Sequence, residues 1–238
     1  TYKSLDISYN FCVKYKCKGI ITLPLSKHLI IKKIDKNFVG HTEYYQKKEG
    51  KNTNMILYYN KMIFSPLTTH IKLKSVSDKI KDIKNLFEKI INMNMILKKD
   101  FNIKKPKIII SGLNPHAGEN GEIGNEENMF LKPLLKKIRS NNIFIDGPYS
   151  ADSILIEKNI NKYDCFLFMY HDQALIPFKY ISKFRGVNYT GNLNIIRTSP
   201  DHGTAYDKVG NKNVSNKSLL ECFRLIKFIH KNRKDAKR

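Results

Sequence analysis

Apolar and polar positions follow two rhythms along this chain, and the rhythms change places several times. Short apolar runs bounded by turn residues read as buried strands: Gly19–Thr22 ending at Pro24, Met55–Tyr59, Met62–Leu67, Lys107–Ser111, Asn142–Ile145 and Tyr163–Tyr170. The polar pair Asn60-Lys61 separates the second run from the third. From Ser77 to about Leu97 the apolar residues Ile80, Ile83, Phe87, Ile90 and Ile91 recur at helical spacing, with Ser77 as the expected N-cap. Glu126–Ser140 reads as a helix with acids in its first turn and Lys136, Lys137 and Arg139 in its last, the order that the helix dipole prefers. A short helix is expected before Tyr163, and an amphipathic one from about Ser218 to Lys231. Strands and helices alternate, which predicts an α/β fold with no internal repeat and no long linker.

At 238 residues the chain suits one large domain or two small ones. A hydrophobic fraction of 41% with 13 Tyr and 13 Phe is enough for a packed core and argues against wholesale disorder. No apolar run approaches the ~20 residues of a membrane helix, and the start has no signal-peptide pattern, so no membrane partner is expected. Cys12, Cys17, Cys165 and Cys222 show no CxxC pairing and read as thiols in a reducing cytoplasm. The formal charge is +22, from 43 Lys+Arg against 21 Asp+Glu. Yet 37 of the basic residues are Lys, spread along the whole chain, and only 6 are Arg. Nucleic-acid recognition favours the Arg fork and a clustered face. Lys shares A/T-rich codons with the 31 Ile and 24 Asn, so codon bias accounts for the charge and no nucleic-acid partner is expected. The basic tail Lys231–Arg238 reads as a solvated helix end.

The candidate chemistry lies in short polar clusters at predicted strand ends: GHTE (Gly40–Glu43), TTH (Thr68–His70), GLNPHAGENG (Gly112–Gly121), MYHDQ (Met169–Gln173) and SPDHGTA (Ser199–Ala205). Each carries a His, and strand ends of an open α/β sheet are where ligands bind. Converging neutral imidazoles make a divalent-metal site. His41, His70, His116 and His171 are 29, 46 and 55 residues apart, so the fold would have to assemble such a site. Separate hydrogen-bonded structural histidines remain the other reading. Gly118, Gly121 and Gly124 form a glycine-rich loop before the helix at Glu126, a weak anion-binding signal. Ile196–Asp207 (IRTSPDHGTAYD) suits a phosphate or nucleotide and equally a surface loop. Lys179 and Arg197 lie in apolar stretches, where a half-buried cation calls for an anion, either a fixed carboxylate or a substrate.

The strings GHTE, TTHIKL, SGLNPHAGENGEIGNEE, DGPYSADS, YDCFLFMYHDQALIPFK, VNYTGNL and IRTSPDHGTAYD, in this order, resemble the 4-hydroxythreonine-4-phosphate dehydrogenase family of pyridoxal phosphate biosynthesis. They cover the chain from about Gly19 to Glu221. The resemblance implies a two-domain isocitrate/isopropylmalate-dehydrogenase-like fold with a cleft between the domains, and a homodimer with the active site at the subunit interface. Residues 1–36 with 177–238 would form the nucleotide-binding domain, and 37–176 the central dimerisation and metal/substrate domain. The family's metal ligands fall on His70, His116 and His171, one of them supplied by the second subunit. Its substrate contacts fall on His41, Thr42, Lys179, Asn188 and Arg197. The related dehydrogenases imply His202, Gly203, Thr204 and Asp207 for NAD or NADP. The implied cation is Zn, Mg, Co or Mn, with Lys179 or metal-bound hydroxide as the base.

The sequence departs from that family at its start and in three internal strings. TLPLSK (Thr22–Lys27) has Leu23 where the family's TGPINK-like motif has Gly, GNLNIIRTS stands for its GLP-i-IRTS, and VGNKN for its AGKG-like stretch. A family segment of some tens of residues, with a glycine-rich strand, lies before the first residue here. A fragment, a naturally reduced protein and a decayed copy all fit that departure. Without this segment the nucleotide-binding part is expected to show an exposed sheet edge or apolar patch beside Gly19–Thr22. Two other functions stay open: a related metal-dependent decarboxylating dehydrogenase of another phosphorylated hydroxy acid, and an inactive truncated binding protein.

Overall fold

The structure, a computed structural model, describes residues 2–211 and 214–236. Among them the strands are β1 (Ile20–Ile21), β2 (Asn54–Tyr59), β3 (Met62–Pro66), β4 (Lys107–Ser111), β5 (Phe144–Tyr149), β6 (Cys165–Phe168), β7 (Val187–Gly191) and β8 (Arg197–Pro200). The helices are α1 (Tyr2–Lys14), α2 (Lys27–Lys33), α3 (His41–Glu49), α4 (Val76–Ile80), α5 (Ile83–Lys99), α6 (Lys132–Arg139), α7 (Glu157–Lys162), α8 (His171–Ser182) and α9 (Lys217–Asp235). The strands share one sheet in the order β1-β8-β7-β2-β3-β6-β4-β5. Two parallel wings, β1–β8 and β3–β6–β4–β5, are joined by antiparallel pairing through β7 and β2.

Side chains alternate across a strand, and the core divides accordingly. Ile56, Ile63 and Leu167 face one side with Leu86 and Ile90 of α5, Leu134 of α6 and Leu225 of α9. Their neighbours Leu57, Phe64, Phe166 and Phe168 face the other side with Ala174 and Phe178 of α8. A third cluster joins Leu5 and Cys12 of α1 to Ile20, Ile30, Phe38 and Tyr45 beside β1. Asn60 and Lys61 are both left-handed (φ 45° and 68°), the conformation of a two-residue hairpin turn. That turn sets Leu57 opposite Phe64. Asp100 closes the far side of β7. It accepts from Tyr189 Oη at 2.5 Å and Arg233 Nε at 2.6 Å, pinning the end of α9 to the sheet.

Several expectations need correction. Ser77 is not a cap, because its hydroxyl donates to Glu126 Oε1 at 2.7 Å. Ser77 lies inside α4, the helical run breaks at Lys81–Asp82 between α4 and α5, and Asp82 caps α5 by accepting from Asn85 N. Glu127–Leu131 form one wide helical turn before α6 begins. Pro133 has no N–H to donate, so the regular ladder cannot run through it. The strand expected at Asn142–Ile145 lies later, at Phe144–Tyr149. Helices α1, α2, α3 and α8 and strands β7 and β8 were not expected.

Strand β1 is the margin of the sheet, and Leu23 beside it is 58% exposed. On α1, next to that edge, Ile7, Phe11, Val13 and Tyr15 are also exposed. No helix among the described residues is long and apolar enough to cross a membrane. The VGNKN stretch includes Lys212 and Asn213, and the basic tail includes Lys237 and Arg238. These four lie outside the described residues.

Candidate functional site

Asn188 and Thr190 point to the same side of β7, and Met55 of β2 sits opposite Thr190. Over this patch of sheet lies a cavity of about 590 Å³. One wall is α8, with His171 at its first turn and Lys179 two turns on. The others are the segment Pro24–His28, His41 at the start of α3, His70 after β3, and the loop Asp201–Thr204 after β8. Gln173 fixes the α8 wall. Its Oε1 accepts from Met169 N (2.8 Å) and Ser111 Oγ (3.0 Å), and its Nε2 donates to the Gly112 carbonyl (3.1 Å). The ends of β4 and β6 are thereby stitched to the first turn of the helix.

Three buried polar atoms of residues lining this cavity have no protein partner: His41 Nε2, Asn188 Oδ1 and Asp201 Oδ2. Buried polar groups are normally paired, so this set fits a polar ligand. Burial, then the cations Arg197 and Lys27, push the His41 imidazole down to about 3 and keep it neutral. Burial pushes the Asp201 carboxyl up to about 6, against the opposing pull of Lys179 and His202. Beneath the cavity floor Arg197 is 1% exposed. It donates to Thr190 Oγ1 at 3.0 Å and through Nε to Thr22 Oγ1 at 2.9 Å, and the Thr190 hydroxyl is 3.4 Å from that of Thr42. Desolvation lowers Arg197 to about 10. Its bonding partners are hydroxyls, so its charge is left to act on the space above.

The His70 and His171 rings lie side by side, with centroids 5.8 Å apart. His70 Nδ1 is 2.7 Å from Glu43 Oε1, and His171 Nδ1 is 2.7 Å from Asp172 Oδ1. A carboxylate on Nδ1 fixes the tautomer and leaves the Nε2 lone pair for a cation. Burial acts to raise the Glu43 carboxyl, but the hydrogen bond and charge of His70 outweigh it and hold the group below its ordinary value. A Cβ at Gly40 would stand 2.9 Å from Glu43 Oε2. The glycine of GHTE is therefore the space that lets Glu43 reach His70. This donor set fits a divalent ion that takes imidazole nitrogen. Among the described residues no three His, Cys, Asp or Glu of one chain converge on a common centre.

The cavity brings together His41, His70, His171, Lys179, Asn188, His202, Gly203 and Thr204 from the sequence-derived candidates. Thr42 and Arg197 lie beneath it. His116 is elsewhere, exposed on a turn after β4. Asp207 is also outside, paired with Lys208 at 3.1 Å. A Cβ on Gly203 would meet nothing within 4 Å, so there is open space beside the loop backbone. Gly118 and Gly124 are no anion cradle, because the Glu127 carboxylate and the Asn114 amide fill the space beside them. Sequence reasoning missed Glu43, Asp172, Lys27 and Asp201. Each lies within, or beside a His of, a quoted string, and position in the string was the only signal for it.

A family model described as pyridoxal phosphate biosynthetic protein PdxA matches residues 1–226. A 4-hydroxythreonine-4-phosphate dehydrogenase of Bacteroides thetaiotaomicron is 38% identical over 92% of this chain and 60% of its own length. One from Sulfurihydrogenibium sp. is 40% identical over 92% of this chain and 67% of its own length. This chain thus spans about three fifths to two thirds of the curated relatives it matches. The solved 4-hydroxythreonine-4-phosphate dehydrogenase of Klebsiella pneumoniae superposes with a TM-score of 0.82 at 29% identity, over 96% of this chain and 70% of that one. The architecture is the isocitrate/isopropylmalate-dehydrogenase-like α/β fold. With the family model matched along nearly all of the sequence, this chain belongs to the PdxA family of pyridoxal phosphate biosynthetic proteins.

Proposed function

We propose that this chain carries the site of an NAD(P)- and divalent-metal-dependent dehydrogenase. It would oxidise 4-(phosphooxy)-L-threonine and decarboxylate it to 3-amino-2-oxopropyl phosphate, toward pyridoxine 5'-phosphate (vitamin B6). One observation carries the reading: a single cavity gathers His41, His70, His171, Lys179, Asn188 and the His202–Thr204 loop from distant parts of the chain.

His70 and His171, with His116 of the partner subunit, would hold Zn, Mg, Co or Mn. Such an ion, when bound, supplies Lewis acidity that lowers the pKa of the substrate alcohol and stabilises negative charge as CO2 leaves. Lys179, which lines the same cavity, is the side chain proposed to take the alcohol's proton. The Arg197 charge below the floor would offset the phosphate or carboxylate of the substrate, and Lys179, which must be neutral to act as a base, would bind it by hydrogen bonding. Neutral His41 and the Thr42 hydroxyl add hydrogen bonds, and Asn188 Oδ1 accepts from a ligand N–H or O–H. His202, Gly203, Thr204 and Asp207 belong to the loop proposed to hold NAD or NADP.

The exposed His116, away from the cavity, supports a homodimer with the site at the subunit interface. Residues 1–36 with 177–238, and 37–176, are read as the nucleotide-binding and central domains. The free thiols of Cys12, Cys17, Cys165 and Cys222 support a cytoplasmic setting. The test is NAD reduction by the purified, metal-supplemented chain with 4-(phosphooxy)-L-threonine, alongside Zn²⁺ titration of His70→Ala and His171→Ala. Both variants are expected to lose Zn²⁺ affinity and turnover. Zn²⁺ binding unchanged in both would refute the site.

A further inference from the structure

Between Gly112 and Glu127 the backbone adopts a conformation that an ordinary loop does not need. His116, Ala117, Gly118, Glu119 and Asn120 all have positive φ, from 40° to 82°. Left-handed backbone is unfavourable for residues with a Cβ and usually occurs one residue at a time. Four of these five carry a Cβ. Such a run persists only where its surroundings over-determine it.

Glu127 supplies that constraint. It is 1% exposed. Its Oε1 accepts from the backbone N–H of Leu113 at 2.7 Å and of Asn114 at 2.8 Å, and its Oε2 accepts from Asn114 Nδ2 at 2.9 Å. The Asn114 amide also donates to Glu126 Oε2 at 2.9 Å. All donors to Glu127 are amides, so directed hydrogen bonds satisfy the buried charge. The glycines are shaped around this pair. A Cβ at Gly112 would stand 2.9 Å from Glu127 Oε1 and one at Gly118 2.7 Å from Oε2, while one at Gly124 would collide with the Asn114 amide. Three glycines, each six residues from the next, therefore wall in one carboxylate and one amide. An apolar side chain could fill the same space, but it would leave the Leu113 and Asn114 N–H groups buried and unpaired.

We propose that Glu127 is a positioning residue for metal binding: it locks the stem of the left-handed turn and so holds the exposed His116 imidazole in place as a ligand toward the partner subunit's His70 and His171. The inference rests on the metal site proposed above and adds to it the part of this chain that aims the third ligand. Glu127 touches neither metal nor substrate and acts through His116.

A double-mutant cycle on the full chain tests this. Wild type, Glu127→Gln, His116→Ala and the double variant are titrated with Zn²⁺ by calorimetry. Visible absorption of Co²⁺-loaded samples reports the coordination. Glu127→Gln is expected to weaken Zn²⁺ binding by about 10–100-fold, as loss of an orienting partner does. His116→Ala is expected to weaken it at least as much, and the double variant no further than His116→Ala alone. The Co²⁺ spectrum of Glu127→Gln should move toward that of His116→Ala. Affinity within threefold of wild type in Glu127→Gln, with His116→Ala impaired, would overturn the positioning role. So would losses that multiply in the double variant. Wild-type affinity in His116→Ala would instead remove His116 from the metal site, and the inference with it. If Glu127→Gln does not fold, Asn114→Ala removes only the side-chain amide. It must cost at least threefold in Zn²⁺ affinity, and nothing in a His116→Ala background; an unchanged affinity overturns the proposal.

Discussion

Replacing Asp201 by Asn should stabilise this protein at neutral and alkaline pH, and the gain should disappear in acid. Asp201 is 7% exposed, its Oδ2 has no partner, and burial lifts its carboxyl from 3.8 to about 6. A carboxyl whose folded pKa lies above its unfolded one binds more protons in the folded state. Its favourable contribution is complete below pH 3.8 and is lost as pH rises through 6. At about 1.4 kcal/mol per tenfold change in proton affinity, the ionised group costs about 3 kcal/mol at pH 8. The same linkage leaves about 1 kcal/mol at pH 4.5 and almost nothing below pH 3. Asn has the same shape and no charge to desolvate. Thermal melts should therefore show Asp201→Asn about 6–12 °C more stable at pH 8, at ~2–4 °C per kcal/mol for a chain of this size. Urea unfolding at pH 8, 6 and 4.5 would follow the decline. A variant no more stable than wild type at pH 8, or an advantage that stays constant with pH, would refute the reasoning. A carboxylate kept at such a cost on a cavity wall is what a stability–function trade-off predicts.

Arg197→Met should keep the stem volume and remove a desolvated guanidinium, leaving stability unchanged or higher by ~1–2 kcal/mol. In the same variant kcat/KM should fall by orders of magnitude, so wild-type kinetics would exclude Arg197 from substrate binding. Arg233→Ala strands the buried Asp100 carboxylate and should cost about 3–5 kcal/mol in urea unfolding, with a loss under 1 kcal/mol counting against the network. His41 should stay neutral throughout the working range. Its folded value of about 3 lies below the unfolded 6.5, so its contribution is present above pH 6.5 and is lost as pH falls toward 3. The histidine signals in NMR should show one imidazole that does not titrate between pH 8 and 5; uniform titration of all seven would refute this. Calorimetric titration of the chain should show binding of Zn²⁺ and of a substrate analogue, and no metal binding at all would count against the proposed metal site.

What the sequence by itself determined was local. The β2 and β3 runs, the buried KIIIS strand and the last helix were legible because periodicity and punctuation act within a few residues. Asn60-Lys61 marked the hairpin break for the same reason. The strings around His41, His70, His171 and Lys179 were legible as chemistry, and their likeness to one family ordered them. What only the tertiary structure decided is where those strings meet. The β7–β2 pairing places Thr190 opposite Met55 and Asn188 opposite Leu57, although well over a hundred residues separate each pair. No local rule sets that register; it follows from both faces of the sheet needing to be covered. Helix α3 was illegible because Gly40 opens it without a side-chain cap, and α8 because Pro177 interrupts its pattern. The glycines before Glu126 looked like a flexible anion loop, and they are instead the hollow around a buried carboxylate. Spacing alone does not tell empty space from filled space. That depends on which side chain, brought from another turn of the chain, comes to occupy it.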